Sequence, residues 1–477
     1  MFDNVQHRDV FRFFEEISAI PRGSGNEAGI ASYLENFARE RSLSCVRDKA
    51  NNIFITKDAS RGREGDPSVM LQGHVDMVCE AAPGVAHDFL RDPIKLVERG
   101  DILSAAGTTL GADDGVAVAI MLALLDDKTL SLPRIECLFT TSEEVGLDGM
   151  KAFDFSLVKS RLLINLDSAD EGVATVSCAG GVRTDVMFEF EPADAAEGDF
   201  YTLVVSGLAG GHSGEDIALR RVSAVAAAAT VLRFISEVSP IRLSSVTGGG
   251  KDNAIPRDCR AVFCVEKGAN ISDALAKAES VVRGHLTDVD KCLKIELTPS
   301  SPSVSASEES SRRLLDFFSV LRPGPVEWAG NREGIVETSY NIGVVNADAK
   351  GAKITLSSRS SESAVLDDME MRLSSAARLA GGTVRHRNRY PGWAYREGTK
   401  LQKIYSSVFE KQYGRKPVIT GIHAGLECGI VSDALPDMDI ISLGPVIRDL
   451  HSPSETLNIP TLDRLYGVVC GMLEEIR

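Results

Sequence analysis

Six short segments of the chain concentrate the residue types that bind metals or move protons. They are Gly73-His74-Val75-Asp76-Met77, Gly111-Ala112-Asp113-Asp114-Gly115, Thr141-Ser142-Glu143-Glu144-Val145-Gly146, Asn165-Leu166-Asp167-Ser168, the glycine-rich loop Gly207 to Gly214 with His212, and Asp449-Leu450-His451-Ser452-Pro453. Singly, each has an ordinary structural reading, such as an Asp pair capping a helix or a Glu pair in a solvated loop. Together, His74, Asp113, Glu144, Asp167 and His451 make two imidazoles and three carboxylates. That nitrogen and oxygen set suits zinc, cobalt or manganese rather than calcium or magnesium. Two divalent cations balance three carboxylates and one bridging hydroxide, so no large uncompensated charge is buried. Asp76, two residues beyond His74 in an extended segment, points the same way and can fix the imidazole tautomer. The adjacent Glu143 and Glu144 can divide the work, one holding metal and one moving a proton.

Five distant segments share a pocket only if the elements before them deliver them to one place. Short apolar runs at Ile53–Thr56, Ser68–Leu71, Ile135–Thr140 and Leu162–Leu166 read as buried strands. The helical patterns between them include Val5–Ile20, with Val10, Phe13, Phe14 and Ile17 on one face, and the Ala- and Leu-rich run Val116–Leu125. Ser24 and Asn26 are placed to cap a helix carrying Ile30, Leu34 and Phe37. This alternation predicts an open α/β sheet covered on both faces, whose ligands bind at the carboxyl ends of its strands. From about Thr184 to Tyr390 long alternating strands and separate helices predict an α+β insert, with a hairpin-then-helix order occurring twice as in two similar halves. After Tyr390 the α/β pattern returns, with a helix at Leu401–Tyr413 and a buried strand at Asp439–Leu443.

Composition narrows the function. The 477 residues are 43% hydrophobic and 25% charged, as in folded domains, with a formal net charge of −16. An acidic chain without a Lys/Arg-rich run is a poor partner for a phosphate backbone, so no nucleic-acid partner is expected. The longest apolar run, Val116–Leu125, is ten residues, half of what a membrane span needs, and the N-terminal residues lack the uninterrupted apolar stretch of a signal peptide. The nine cysteines are scattered without CxxC spacing, which predicts free thiols and a cytoplasmic location.

The ordered motifs LQGHVDMV at 71–78, GADDGVAVA at 111–119, TTSEEVGLDG at 140–149, GGHSGEDI at 210–217 and HAGLECGI at 423–430 resemble those of the co-catalytic zinc exopeptidases. That family includes bacterial dipeptidases, carboxypeptidase G and the carnosinases. The resemblance implies an open mixed-sheet α/β catalytic domain, residues 1–184 and 390–477, interrupted by an α+β lid domain, residues 185–389. It implies two divalent metal ions, zinc first, with cobalt or manganese as alternatives. His74, Asp113 and Asp167 would hold one ion. Asp113 would bridge to the second, which Glu144 and His451 complete. Glu143 would be the general base of a hydroxide held between the metals, and Asp76 would orient His74. His212, in the lid, would donate to the developing oxyanion. Asn253 in KDNAIP and Arg359 in SSRSS match positions that hold the substrate's carboxylate end. His423 and Glu427, back in the catalytic domain, would line the substrate pocket. An Asp rather than a Glu in the fourth motif resembles the aminopeptidase and dipeptidase branch. The activity implied is hydrolysis of dipeptides, Xaa-His and β-alanyl-His among them. The alternative on the same scaffold is an N-acyl amino acid deacylase or a carboxypeptidase. The implied partner is a small peptide, with a homodimer as an option and no membrane.

Overall fold

The computed structural model describes residues 2, 5–193, 197–329 and 335–477. The chain divides into two compact units: residues 1–177, 395–421 and 426–477 form the first, and residues 178–394 and 422–425 the second.

The first unit is built on a mixed sheet whose strand order is Ser44–Arg47, Ile53–Lys57, Ile135–Thr140, Val69–His74, Leu162–Asn165, Asp439–Ser442, Val173–Cys178 and Val418–Ile422. The middle strands are parallel: Val69–His74 lies between Ile135–Thr140 and Leu162–Asn165, and Asp439–Ser442 follows. Every residue of those first three strands is buried, as expected of strands covered on both faces. Helix Ala112–Asp126 is buried nearly all round, because its sequence offers no polar stripe after Asp114. Helix Arg8–Ser18 packs against it and buries Val10, Phe11, Phe13, Phe14 and Ile17.

Ser24 and Asn26 do not cap the next helix. Helix Ala28–Glu40 starts after Glu27 with no side-chain cap. The Ser24 hydroxyl instead donates to Asp76 Oδ2 at 2.7 Å. This bond holds the Ser24 side chain at the buried carboxylate rather than at the helix N–H groups from which a cap would accept.

The second unit is built on a large antiparallel sheet backed by helices. Its order is Lys294–Pro299, Asp199–Ser206, Cys259–Val265, Arg242–Gly248, Val336–Ala347, Gly351–Ser360, Gly180–Glu189 and Thr383–Tyr390, with Gly324–Trp328 also paired to Val336–Ala347. Helix Ala224–Ser236 packs on the strands of the first half, and helix Ser363–Leu379 on those of the second. The halves meet where Arg242–Gly248 pairs with Val336–Ala347. Phe188, Val231, Phe263, Phe317 and Leu356 belong to one continuous core. The position 184, where the sequence pattern changes, lies inside strand Gly180–Glu189. The first residues of that strand, Gly180 and Gly181, hide the alternation that begins after them.

Candidate active site

The first unit brings the five predicted metal residues together at the carboxyl end of its sheet. His74 ends its strand, Glu143 and Glu144 follow the strand ending at Thr140, and Asp167 follows the strand ending at Asn165. Asp113 carries an imidazole on each oxygen: His74 Nε2 is 3.1 Å from Oδ1, and His451 Nε2 is 3.1 Å from Oδ2. His451 Nε2 also lies 3.2 Å from Glu144 Oε1. His74, Asp113 and Glu144 offer ligand atoms within 4.8 Å of one another, and so do His74, Asp114 and Asp167.

Asp76 serves two groups. Its main-chain oxygen is 3.1 Å from His74 Nδ1, while its carboxylate Oδ1 is 3.5 Å away. The same carboxylate accepts the N–H of Glu143 at 3.1 Å and of Glu144 at 3.3 Å. It therefore grips the turn that bears the predicted base.

The charges of this cluster are strained by burial and by each other. Burial raises Asp167 well above the usual carboxylate range, helped by the neighbouring Asp113 and Asp114. Burial likewise raises Asp114, with Asp113 adding repulsion. Burial pushes Glu143 up to about 8, with Glu427, Glu144 and Asp113 contributing. Hydrogen bonds to Asp113 and Glu144 raise His451 to about 10. Burial opposes charge on His74, but Asp113, Asp76 and Glu143 outweigh it and hold this imidazole well above its ordinary value. Protons are thus drawn into a cluster of negative groups that cations would neutralise instead. The donor set and the excess negative charge both fit divalent metal.

Several residues that hold the site in place were not singled out by the sequence. Asp114 is buried and accepts the His74 N–H at 3.2 Å. Gly73 makes this approach feasible, since a Cβ there would sit 2.4 Å from Asp114 Oδ2 and 2.3 Å from Ala117 Cβ. Glu455 Oε2 accepts the N–H groups of Leu110 and Gly111 at 2.8 and 3.0 Å, and Oε1 those of Ala112 and Asp113 at 2.8 and 3.3 Å. Buried Arg22 donates to the carbonyls of Val75 and Gly111. The available signals were the buried-residue types in IPRGSGNE at 20–27 and the Glu four residues after His451.

The second unit holds a separate cluster. Arg359 is 4% exposed, donates to Tyr390 Oη at 3.1 Å and leaves its buried Nε without a partner. His212 Nδ1 accepts the Glu215 N–H at 3.2 Å, so the neutral ring carries its proton on Nε2, free to donate. Burial and the Arg359 charge lower the His212 pKa, favouring that neutral form. Asn253 lies beside His212, its carbonyl accepting the Ser213 N–H at 2.8 Å while His212 pairs with Ala254. The His423 ring meets Ser339 Oγ at 2.7 Å, and burial and Arg359 push its pKa down to about 3. A Cβ on Gly214 would sit 3.1 Å from the His212 ring, 3.2 Å from the Arg359 guanidinium and 2.4 Å from the His423 carbonyl. The glycine keeps this cradle open.

Two expectations are corrected. His423 belongs to the second unit with residues 422–425 rather than to the catalytic domain, because its ring is bound to the strand carrying Ser339. Glu427 lines no open pocket. It is 0% exposed, with Gln72 and Thr140 donating to its Oε2, because helix Glu427–Ala434 begins against the strand ends.

Comparison with known proteins identifies the family. The model of Peptidase family M20/M25/M40 matches residues 70–475. The cytosol non-specific dipeptidase of Escherichia coli K12 is 32% identical over 474 residues, covering 98% of this chain and 97% of its own. The crystal structure of aminoacylhistidine dipeptidase from Vibrio alginolyticus superposes with a TM-score of 0.94 at 31% identity, covering 100% of this chain and 98% of that one. Aminopeptidase PepT from Bacillus cereus shares the fold at 16% identity and a TM-score of 0.58, over 99% of both chains. On the family match and the full-length relatives, the chain belongs to peptidase family M20/M25/M40, a family of hydrolases acting on peptide bonds.

Proposed function

We propose that this peptidase is a metal-dependent dipeptidase, with Xaa-His and β-alanyl-His dipeptides among its substrates. The observation that carries the reading is Asp113, whose two oxygens each face a different imidazole, as a carboxylate shared by two cations would. His74, Asp113 and Asp167 would hold one ion, and Asp113, Glu144 and His451 the other. Bound there, a pair of divalent cations supplies positive charge that polarises a peptide carbonyl and lowers the pKa of water. Zinc is the first choice for this donor set, followed by cobalt and manganese.

The rest of the chemistry belongs to side chains of the chain. Glu143 takes a proton from water at its carboxylate and returns it to the leaving amine. His212 donates its Nε2 proton to the developing oxyanion. Arg359 grips the C-terminal carboxylate of the substrate with parallel hydrogen bonds, assisted by Asn253. His423 stays neutral and backs Arg359 through Ser339, which faces Arg359 across the paired strands. A cytoplasmic location is supported by the name of the Escherichia coli relative and by the free thiols of all nine cysteines. Small peptides are its partners, and a homodimer is its proposed assembly.

The test is a substrate panel on chelated protein reloaded with Zn²⁺, Co²⁺ or Mn²⁺. Dipeptides should be cleaved only after reloading, and N-acetyl amino acids should remain intact. Turnover of N-acetyl amino acids without turnover of dipeptides would overturn the dipeptidase reading in favour of a deacylase.

A further inference from the structure

A one-way chain of buried hydrogen bonds runs across the sheet beneath the proposed metal ligands. It starts at Glu427, a carboxylate with no exposed surface. Gln72 Nε2 and Thr140 Oγ1 both donate to Glu427 Oε2, the latter at 2.7 Å. Gln72 spends its amide hydrogens on Glu427 and Thr140, so its Oε1 is turned to accept from Asn165 Nδ2 at 2.7 Å. Asn165 then presents its own oxygen to the Asp167 N–H at 3.2 Å and to the Ser442 hydroxyl. Each link lies just before a proposed functional residue: Gln72 two residues before His74, Asn165 two before Asp167, and Thr140 three before Glu143. The strands concerned are neighbours in the sheet.

A side-chain amide has a donor end and an acceptor end, and turning it over exchanges them. In a buried row of amides the group at the head therefore fixes the sense of every link. Glu427 Oε2 takes the donors of both Gln72 and Thr140, so Gln72 points its NH₂ toward it. If that acceptor were lost, Gln72 and Asn165 could turn over together. The Asn165 NH₂ would then face the Asp167 N–H, donor against donor, and displace the main chain of a metal residue.

We propose that Glu427 is a positioning residue which sets the direction of this hydrogen-bond row and so places Asp167 and the Glu143 turn for metal binding. The inference rests on the metal roles proposed above. It assigns Glu427 no contact with substrate.

The test reads Co²⁺ binding and the visible spectrum of the Co²⁺-loaded full chain, alongside kcat and KM for a dipeptide. Glu427→Leu keeps the bulk but removes the acceptor. It should lose roughly 10- to 100-fold in Co²⁺ affinity and shift the cobalt absorption, the range seen when partners of metal ligands are removed. Glu427→Gln can accept both donors on its single amide oxygen and should restore the wild-type spectrum. The double variant Glu427→Leu/Gln72→Leu should be no worse than the single one, since both remove the same row. Wild-type Co²⁺ affinity and spectrum in Glu427→Leu, or a Glu427→Gln variant as impaired as Glu427→Leu, would overturn the proposal. If Glu427→Leu does not fold, Asn165→Asp takes its place. It sets an acceptor against Gln72 Oε1 with Glu427 intact, and an unchanged Co²⁺ affinity there is equally fatal. Failure of wild-type protein to bind Co²⁺ overturns the metal reading itself, whereas loss confined to these variants does not touch it.

Discussion

The carboxylate of Asp76 accepts the main-chain N–H of Glu143 at 3.1 Å, across 67 positions of sequence. One buried acid thus links the strand end bearing His74 to the turn bearing the proposed base. Asp76→Ala should lower kcat by roughly 10- to 100-fold, as for other partners that orient a metal site. The loss should exceed any change in KM. Steady-state kinetics with parallel metal analysis checks this.

Glu143 and Glu144 are neighbours with separable fates. Glu143→Gln should keep its metal and lose about 10² to 10⁴ in kcat, the usual worth of a positioned proton carrier. Glu144→Ala should lower the metal content instead. Metal analysis of the two proteins, side by side with turnover, separates the roles. An active Glu143→Gln enzyme would move the base elsewhere.

Arg359 is buried, with one unpartnered N–H group. Arg359→Lys keeps the charge but cannot present a planar fork to a carboxylate. Losing one charge-assisted hydrogen bond, about 1.5–3 kcal/mol, should raise KM for dipeptides roughly 10- to 100-fold. Dipeptide amides, which lack that carboxylate, should show a much smaller difference between wild type and variant.

His423 titrates near 3 in the folded protein, against about 6.5 in an unfolded chain. Below pH 6.5 the unfolded state therefore binds more protons, and stability falls as pH drops from about 6.5 toward 3. Above that window both states are neutral and the residue adds no pH dependence. His423→Gln should flatten the acid limb of the stability profile without changing its slope above pH 7. Denaturation midpoints measured at pH 5 and pH 7.5 decide this.

Removing metal leaves Asp113, Asp114, Glu144 and Asp167 to repel one another in a buried space. Chelation should lower Tm, and Zn²⁺, Co²⁺ or Mn²⁺ should restore it. Free metal at one hundred times Kd corresponds to about 2.7 kcal/mol of stabilisation. A Tm indifferent to chelator would remove the metal from the reading. Scanning calorimetry with and without chelator is sufficient.

Local chemistry made much of the first unit legible. The apolar runs Ser68–Leu71, Ile135–Thr140 and Leu162–Leu166 fall on the strands ending at His74, Thr140 and Asn165, and the polar residues after those strands emerge at one edge of a parallel sheet. The motif HAGLECGI was legible as functional, but its two polar residues go to different places: His423 to the strand bearing Ser339, Glu427 under the ends of the central strands. Nothing in eight consecutive residues encodes that division.

Sequence alone determined which atoms could bind metal, since residue type fixes donor chemistry and apolar runs fix where strands end. It also determined the alternating strands of the second unit, because strand alternation is a local property. Tertiary structure alone decided the partners that hold these atoms still. Glu455 collects four amides more than 340 positions away, and the row from Glu427 to Asp167 joins three neighbouring strands. Such partners are chosen by which buried polar groups meet when the sheet closes, and a buried donor must find an acceptor wherever the fold puts one. That requirement acts across space and leaves no periodicity along the chain.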